Sequence, residues 1–98
     1  MAQFIAAVRR NLDRFSASDF TPELLEEEAE RARQLYADGV FRQMWGRADH
    51  PGAVILIEAG TPDEAQAVLA SLPLAVREML TLDVLVPLTP YRGFGPRG

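Results

Sequence analysis

The side chains best suited to chemistry crowd into one stretch of the 98-residue sequence, FRQMWGRADHPG from Phe41 to Gly52, with one outlying carboxylate at Asp83. The planar fork of a guanidinium suits a carboxylate or an enolate oxygen, so Arg42 and Arg47 are candidate anion partners. Imidazole titrates near neutrality, which makes His50 a candidate proton carrier. Asp83 interrupts a run of Leu and Val; lining a cavity there, it would lose water and its pKa would rise, as a general base requires. Trp45 is a candidate pocket wall, and Gln43 and Arg47 share its face if the strand alternates regularly. Each residue also has an ordinary reading. Trp45 packs in a core, the arginines and Asp83 form surface ion pairs, and His50 is an exposed turn residue.

Other chemistries are excluded or unsupported. All ten basic residues are arginine, so no lysine is present to form a Schiff base. There is no cysteine and a single histidine, and the carboxylates are scattered, which gives no metal-ligand spacing and no thiolate. The glycines of RGFGPRG lie in the tail and precede no helix, so they form no phosphate loop. No cofactor is expected. A net charge of −4 argues against nucleic acid or an anionic membrane surface as partner. No apolar run approaches membrane-span length, and the apolar start MAQFIAAV is too short for a secretion signal, so a cytoplasmic location is expected.

The elements that must position these residues are legible from pattern. The length and a hydrophobic content of 48% fit one globular domain over residues 1–98, with 90–98 as a tail. Met1 to Val8 reads as a strand, with helix as the competing reading because of its alanines. In TPELLEEEAERARQLYADG, Thr21 can cap a helix, Pro22 suits its first position and Gly39 its end. Leu25, Ala29, Ala32 and Tyr36 form its apolar stripe with Leu24 and Leu35, and the EEE run is a solvated face. Val40 to Arg47 is a strand whose two faces both mix apolar and polar residues. ADHPG is a turn, and Ala53 to Ala59 is apolar on both faces. Thr61 and Glu64 have capping-box spacing for a second helix that Pro73 stops. LAVREML has room for one helical turn. In the last strand Leu80, Leu82, Val84, Val86 and Leu88 line one face; Thr81, Asp83, Leu85 and Pro87 line the other. The order βαββαβ is the α+β, ferredoxin-like plan: a four-stranded antiparallel sheet with both helices on one face. The doubly apolar third strand implies that a second copy of the chain covers the other face.

At LYADGVFRQMW and LASLPL...LDVLVPLTPY the sequence resembles the muconolactone isomerase family. There a helix ending in Gly enters an aromatic-Arg-x-x-Trp strand, here Gly39, Phe41, Arg42 and Trp45. A Leu-Pro-Leu element, here Leu72 to Leu74, precedes a final strand ending near Pro87 and Leu88. The departures mark a divergent member. Gly46 stands where the family has another Arg, and Phe41 replaces a Trp. PGA (Pro51 to Ala53) replaces a Tyr-Ala-Asn-type stretch, and AVREM an aromatic, proline-rich step. The resemblance implies a dimeric α/β barrel, with further assembly of dimers, and a cofactor-free intramolecular isomerase. Its reaction moves a proton within an unsaturated lactone, with a base and an enolate-stabilising cation. On this reading Arg42, Asp83 and His50 are the catalytic candidates, and Trp45, Arg47 and Gln43 bind a small molecule. Two further readings are a non-catalytic dimeric binding or assembly module and a cofactor-independent oxygenase.

Overall fold

The computed structural model describes residues 1–94. The chain runs β1 (Ala2–Arg10), α1 (Pro22–Ala37), β2 (Phe41–Gly46), β3 (Gly52–Ala59), α2 (Pro62–Ala70), α3 (Pro73–Val76) and β4 (Leu80–Leu88), the βαββαβ order with one added helical turn before β4. The four strands form one antiparallel sheet in the order β2-β3-β1-β4. β1 continues past Val8, its expected end, because Arg9 and Arg10 still pair with Thr81 and Leu80.

Both long helices begin as their sequences dictate. Thr21 Oγ1 accepts the Leu24 N–H at 3.2 Å, and Pro22 follows as the first helical residue. Gly39 ends that helix at φ 79°, a left-handed conformation that glycine adopts without a Cβ clash. Thr61 Oγ1 accepts the Glu64 N–H at 3.1 Å, while Glu64 reaches back to the Gly60 N–H at 2.8 Å, one residue beyond the expected capping-box partner. The expected stripe on α1 is only partly right. Leu24 and Leu35 are buried, but Tyr36 is 65% exposed.

One face of the sheet carries the core. Phe4, Ala6 and Val8 of β1 and Ile55, Ile57 and Ala59 of β3 are buried with Phe41, Leu35, Ala65, Leu69 and Leu72. Burial of each large side chain here contributes about 1.5–3 kcal/mol. A second cluster of Phe20, Leu24, Leu74 and Met79 seats α3 against α1.

Two bulges set which residues reach the other face. In β2, Phe41 pairs with buried Ile57, but Gln43 pairs with Leu56, so Arg42 is an extra residue. The extra residue resets the alternation. Phe41 goes into the core, and Gln43 and Trp45 stand opposite Leu56 and Val54. This corrects the regular alternation expected of β2 and accounts for its mixed faces. In β4, Ala7 pairs with Val84 and Val8 with Leu82, so Asp83 is the extra residue. The expected five-residue apolar row is therefore broken. Leu80 packs on the core and Leu85, opposite Ala6, joins it, whereas Val84, Val86 and Leu88 stand opposite Ala7, Ile5 and Gln3. Trp45, Val84, Val86 and Leu88 are between 38% and 48% exposed. An apolar sheet face is thus left uncovered in the single chain. Among the described residues no helix is long and apolar enough to cross a membrane.

Candidate active site

The β2–β3 connection brings four of the sequence-derived candidates to one end of the sheet. β2 ends at Gly46, and the Arg47 N–H bonds to the Gly52 carbonyl at 3.2 Å, closing the hairpin. Gly52 lets β1 come close, since a Cβ there would stand 2.1 Å from the Val8 carbonyl oxygen. Arg47 is the hub of this end of the sheet. Its Nε and Nη2 grip Asp49 at 3.0 and 2.8 Å, its Nη1 donates to Asp83 Oδ2 at 2.8 Å, and Nη2 lies 2.9 Å from His50 Nε2. Arg9 Nε donates to Asp83 Oδ1 at 2.8 Å. Asp83 can take two arginines because it is the bulged residue of β4.

This geometry reverses the direction of the pKa shift expected of Asp83. Hydrogen bonds from Arg47 first, and Arg9 second, hold its carboxyl below the usual carboxylate range rather than above it. Arg47 likewise lowers Asp49, and the two carboxylates raise Arg47. Asp83 is a fixed anion between two cations, a poor base and a good anchor.

Arg42 is not part of this cluster. It lies at the opposite end of β2, about 16 Å of extended strand from Arg47, with its guanidinium 3.7 Å from Glu58. Gln43 lines a shallow hollow with Ala32, Tyr36 and Met44 at the β2 edge. Arg47, His50 and Asp83 therefore form one group, with Trp45 on the adjoining strand; Arg42 and Gln43 sit elsewhere.

Sequence reasoning misses Glu28. It belongs to the EEE run assigned to a solvated face, yet Glu28 is half-buried while Glu26 and Glu27 are exposed. Its Oε1 accepts the Leu74 N–H of α3 at 3.0 Å. Burial pushes its carboxyl up, opposed by that hydrogen bond and by the charge of Arg10. The signal is in the spacing. Leu24, Glu28, Ala32 and Leu35 fall at i, i+4, i+8 and i+11, which puts a carboxylate within the buried stripe.

A search among curated proteins returns no match. The family model described as muconolactone delta-isomerase matches residues 3–92, from the first strand to beyond the last. With its sheet, its helix order and its aromatic-Arg-x-x-Trp strand all inside that match, the chain belongs to the muconolactone delta-isomerase family.

Proposed function

We propose that the protein is a cofactor-free isomerase that moves a proton within an unsaturated lactone or a related carbonyl compound, and that it works as a homodimer. The family match over residues 3–92 carries this reading. Proteins of this family are dimeric α/β barrels, in which the sheet of one chain packs on the sheet of another. The exposed row of Trp45, Val84, Val86 and Leu88 supplies a face suited to that packing. The β2 end bearing Trp45, Arg47 and His50 is the place for substrate. Trp45 is a wall there, Arg47 a cation for an oxygen or carboxylate, and His50 a proton-carrying group on the rim. Asp83 and Arg9 fix Arg47 in place. Arg42, paired with Glu58 at the far end, would act only on a substrate long enough to reach it.

The experiment is a turnover screen of muconolactone and other five-membered unsaturated lactones, followed by ultraviolet absorbance of the conjugated system. Isomerisation of at least one lactone above the buffer rate is expected. No turnover of any of them would overturn the reading.

A further inference from the structure

Where β1 stops, a hollow of about 370 Å³ opens between the end of that strand, the segment that follows it and the β2–β3 connection. Arg9, Arg10, Leu12, Asp13, His50 and Pro51 line it. Trp45 and Arg47 are not in that lining; of the groups placed around the lactone, the hollow shares His50.

Arg10 is the residue that the fold leaves unexplained. Among the described residues four arginines are half-buried, Arg9, Arg10, Arg31 and Arg47. Three of them have polar partners. Arg9 holds Asp83, Arg31 holds Ser71 and Gln34, and Arg47 holds Asp49 and Asp83. The Arg10 guanidinium lies with its Cζ 5.2 Å over the Phe20 ring and has neither a hydrogen bond nor an ion pair among the described residues. It also lines an inner recess with Glu28, yet the two form no ion pair. A cation drawn partly out of water without an anion is costly. The ring steadies the guanidinium but leaves its N–H groups free to donate in the ring plane.

Neighbouring groups converge on the same hollow. Arg9 spends its Nε on Asp83 Oδ1 at 2.8 Å and keeps both Nη groups. A guanidinium only donates, so His50 Nε2, 2.9 Å from Arg47 Nη2, is an acceptor there and the ring N–H is at Nδ1. Leu12, 45% exposed, and Pro51 add a small apolar surface. Asp13 is the one carboxylate in the lining, and it repels a second negative charge.

We propose that this hollow is a binding site for a small organic monocarboxylate, with Arg10 and Arg9 on the carboxylate, Leu12 and Pro51 against its short apolar body, and Asp13 set against any further anionic group. The site stands apart from the isomerase reading and does not depend on it. Two guanidinium forks suit a carboxylate. The hollow has the size of a small-molecule site and exceeds what a bare ion needs. Phosphate esters carry between one and two negative charges near neutral pH and dicarboxylates carry two, so both meet Asp13 unfavourably.

The test compares butyrate with succinate, which has the same number of carbons and one more carboxylate. His50 is the only histidine, so its ring protons give isolated NMR signals at the rim of the hollow. At pH 7 and constant ionic strength, butyrate should shift those signals saturably, and succinate should bind at least about tenfold more weakly. Arg10→Gln should weaken butyrate at least about tenfold, with the fold checked by circular dichroism. Asp13→Asn changes an exposed residue outside the helices and strands, and it should bring succinate to within about threefold of butyrate. These results together support the proposal. Signals that do not saturate with butyrate, or that respond equally to sodium chloride, overturn the site. Butyrate binding unchanged in a folded Arg10→Gln overturns it as well. Succinate binding as tightly as butyrate in wild type, or a preference that survives Asp13→Asn, overturns the assigned ligand class.

Discussion

Arg47 donates from Nη1 to Asp83 Oδ2 at 2.8 Å, and the two residues come from opposite edges of the sheet. Arg47 follows edge strand β2 and Asp83 lies in edge strand β4, so the contact spans β3 and β1 and is completed from β1 by Arg9. One ionised carboxylate thus ties three strands at the end of the sheet.

The pH dependence of stability follows from the lowered Asp83. Its folded pKa lies below its unfolded value of about 4, so the folded state binds fewer protons. The stabilisation is fully present above that unfolded value and is lost as pH falls through the folded one. Asp49 acts in the same direction. Asp83→Asn should therefore unfold at lower temperature than wild type at pH 7, and the gap should close under acid. Thermal unfolding of both proteins across pH would check this; equal stability at pH 7 would contradict it.

The open sheet face should be the dimer interface. Val86→Arg places a charge in the exposed row beside Val84 and Leu88, opposite Ile5 and away from the buried core. The variant should fold as a monomer, while wild type sediments as a dimer burying more than about 1,200 Å² in total. A stable wild-type monomer at micromolar concentration, or a dimer indifferent to Val86→Arg, would be the contrary result.

The tail should add to that interface. Tyr91 and Phe94 are 71% and 89% exposed and contact each other, with ring centroids 4.9 Å apart. Residues 95–98, the rest of the segment read as a tail, lie outside the described residues. Removal of residues 90–98 should raise the dimer dissociation constant by about tenfold, as expected for one buried aromatic anchor. Analytical ultracentrifugation over a dilution series gives the answer, and an unchanged constant would place the two rings elsewhere.

The sequence is most legible where a single residue type has a single local job. Thr21 and Thr61 cap, Pro22 follows the first of them, Gly39 ends α1, and all are where the pattern puts them. The faces of β2 and β4 escape the pattern for one shared reason. Strand reading assumes a period of two, and the extra residues Arg42 and Asp83 each shift the period by one. A bulge leaves no residue-type signature at an Arg or an Asp. Asp83 resembles a base in the sequence because its partners lie 36 and 74 positions away, beyond any local pattern. Glu28 resembles a solvated residue because a charged run hides one member that turns inward.

Glu28 should make the opposite contribution to Asp83. Its folded pKa is raised, so the folded state holds its proton more tightly than the unfolded chain. Its stabilisation is fully present below the unfolded value of about 4.3 and is lost as pH rises through the folded value. Glu28→Gln does not titrate and should gain stability relative to wild type over that window. Glu28→Ala, which also strips the acceptor from the Leu74 N–H, should be about 1–3 kcal/mol less stable than Glu28→Gln. Urea unfolding of the three proteins at several pH values tests this, and parallel profiles for wild type and Glu28→Gln would contradict it.

The central claim is that the protein moves a proton between carbons of an unsaturated lactone. The direct measurement is proton NMR of muconolactone in D2O with and without the protein. Loss of the signal from the carbon that gives up its proton and appearance of the isomer, both faster than in buffer, are the predicted result. A spectrum that evolves at the buffer rate at every protein concentration, for muconolactone and for each related lactone, would contradict it.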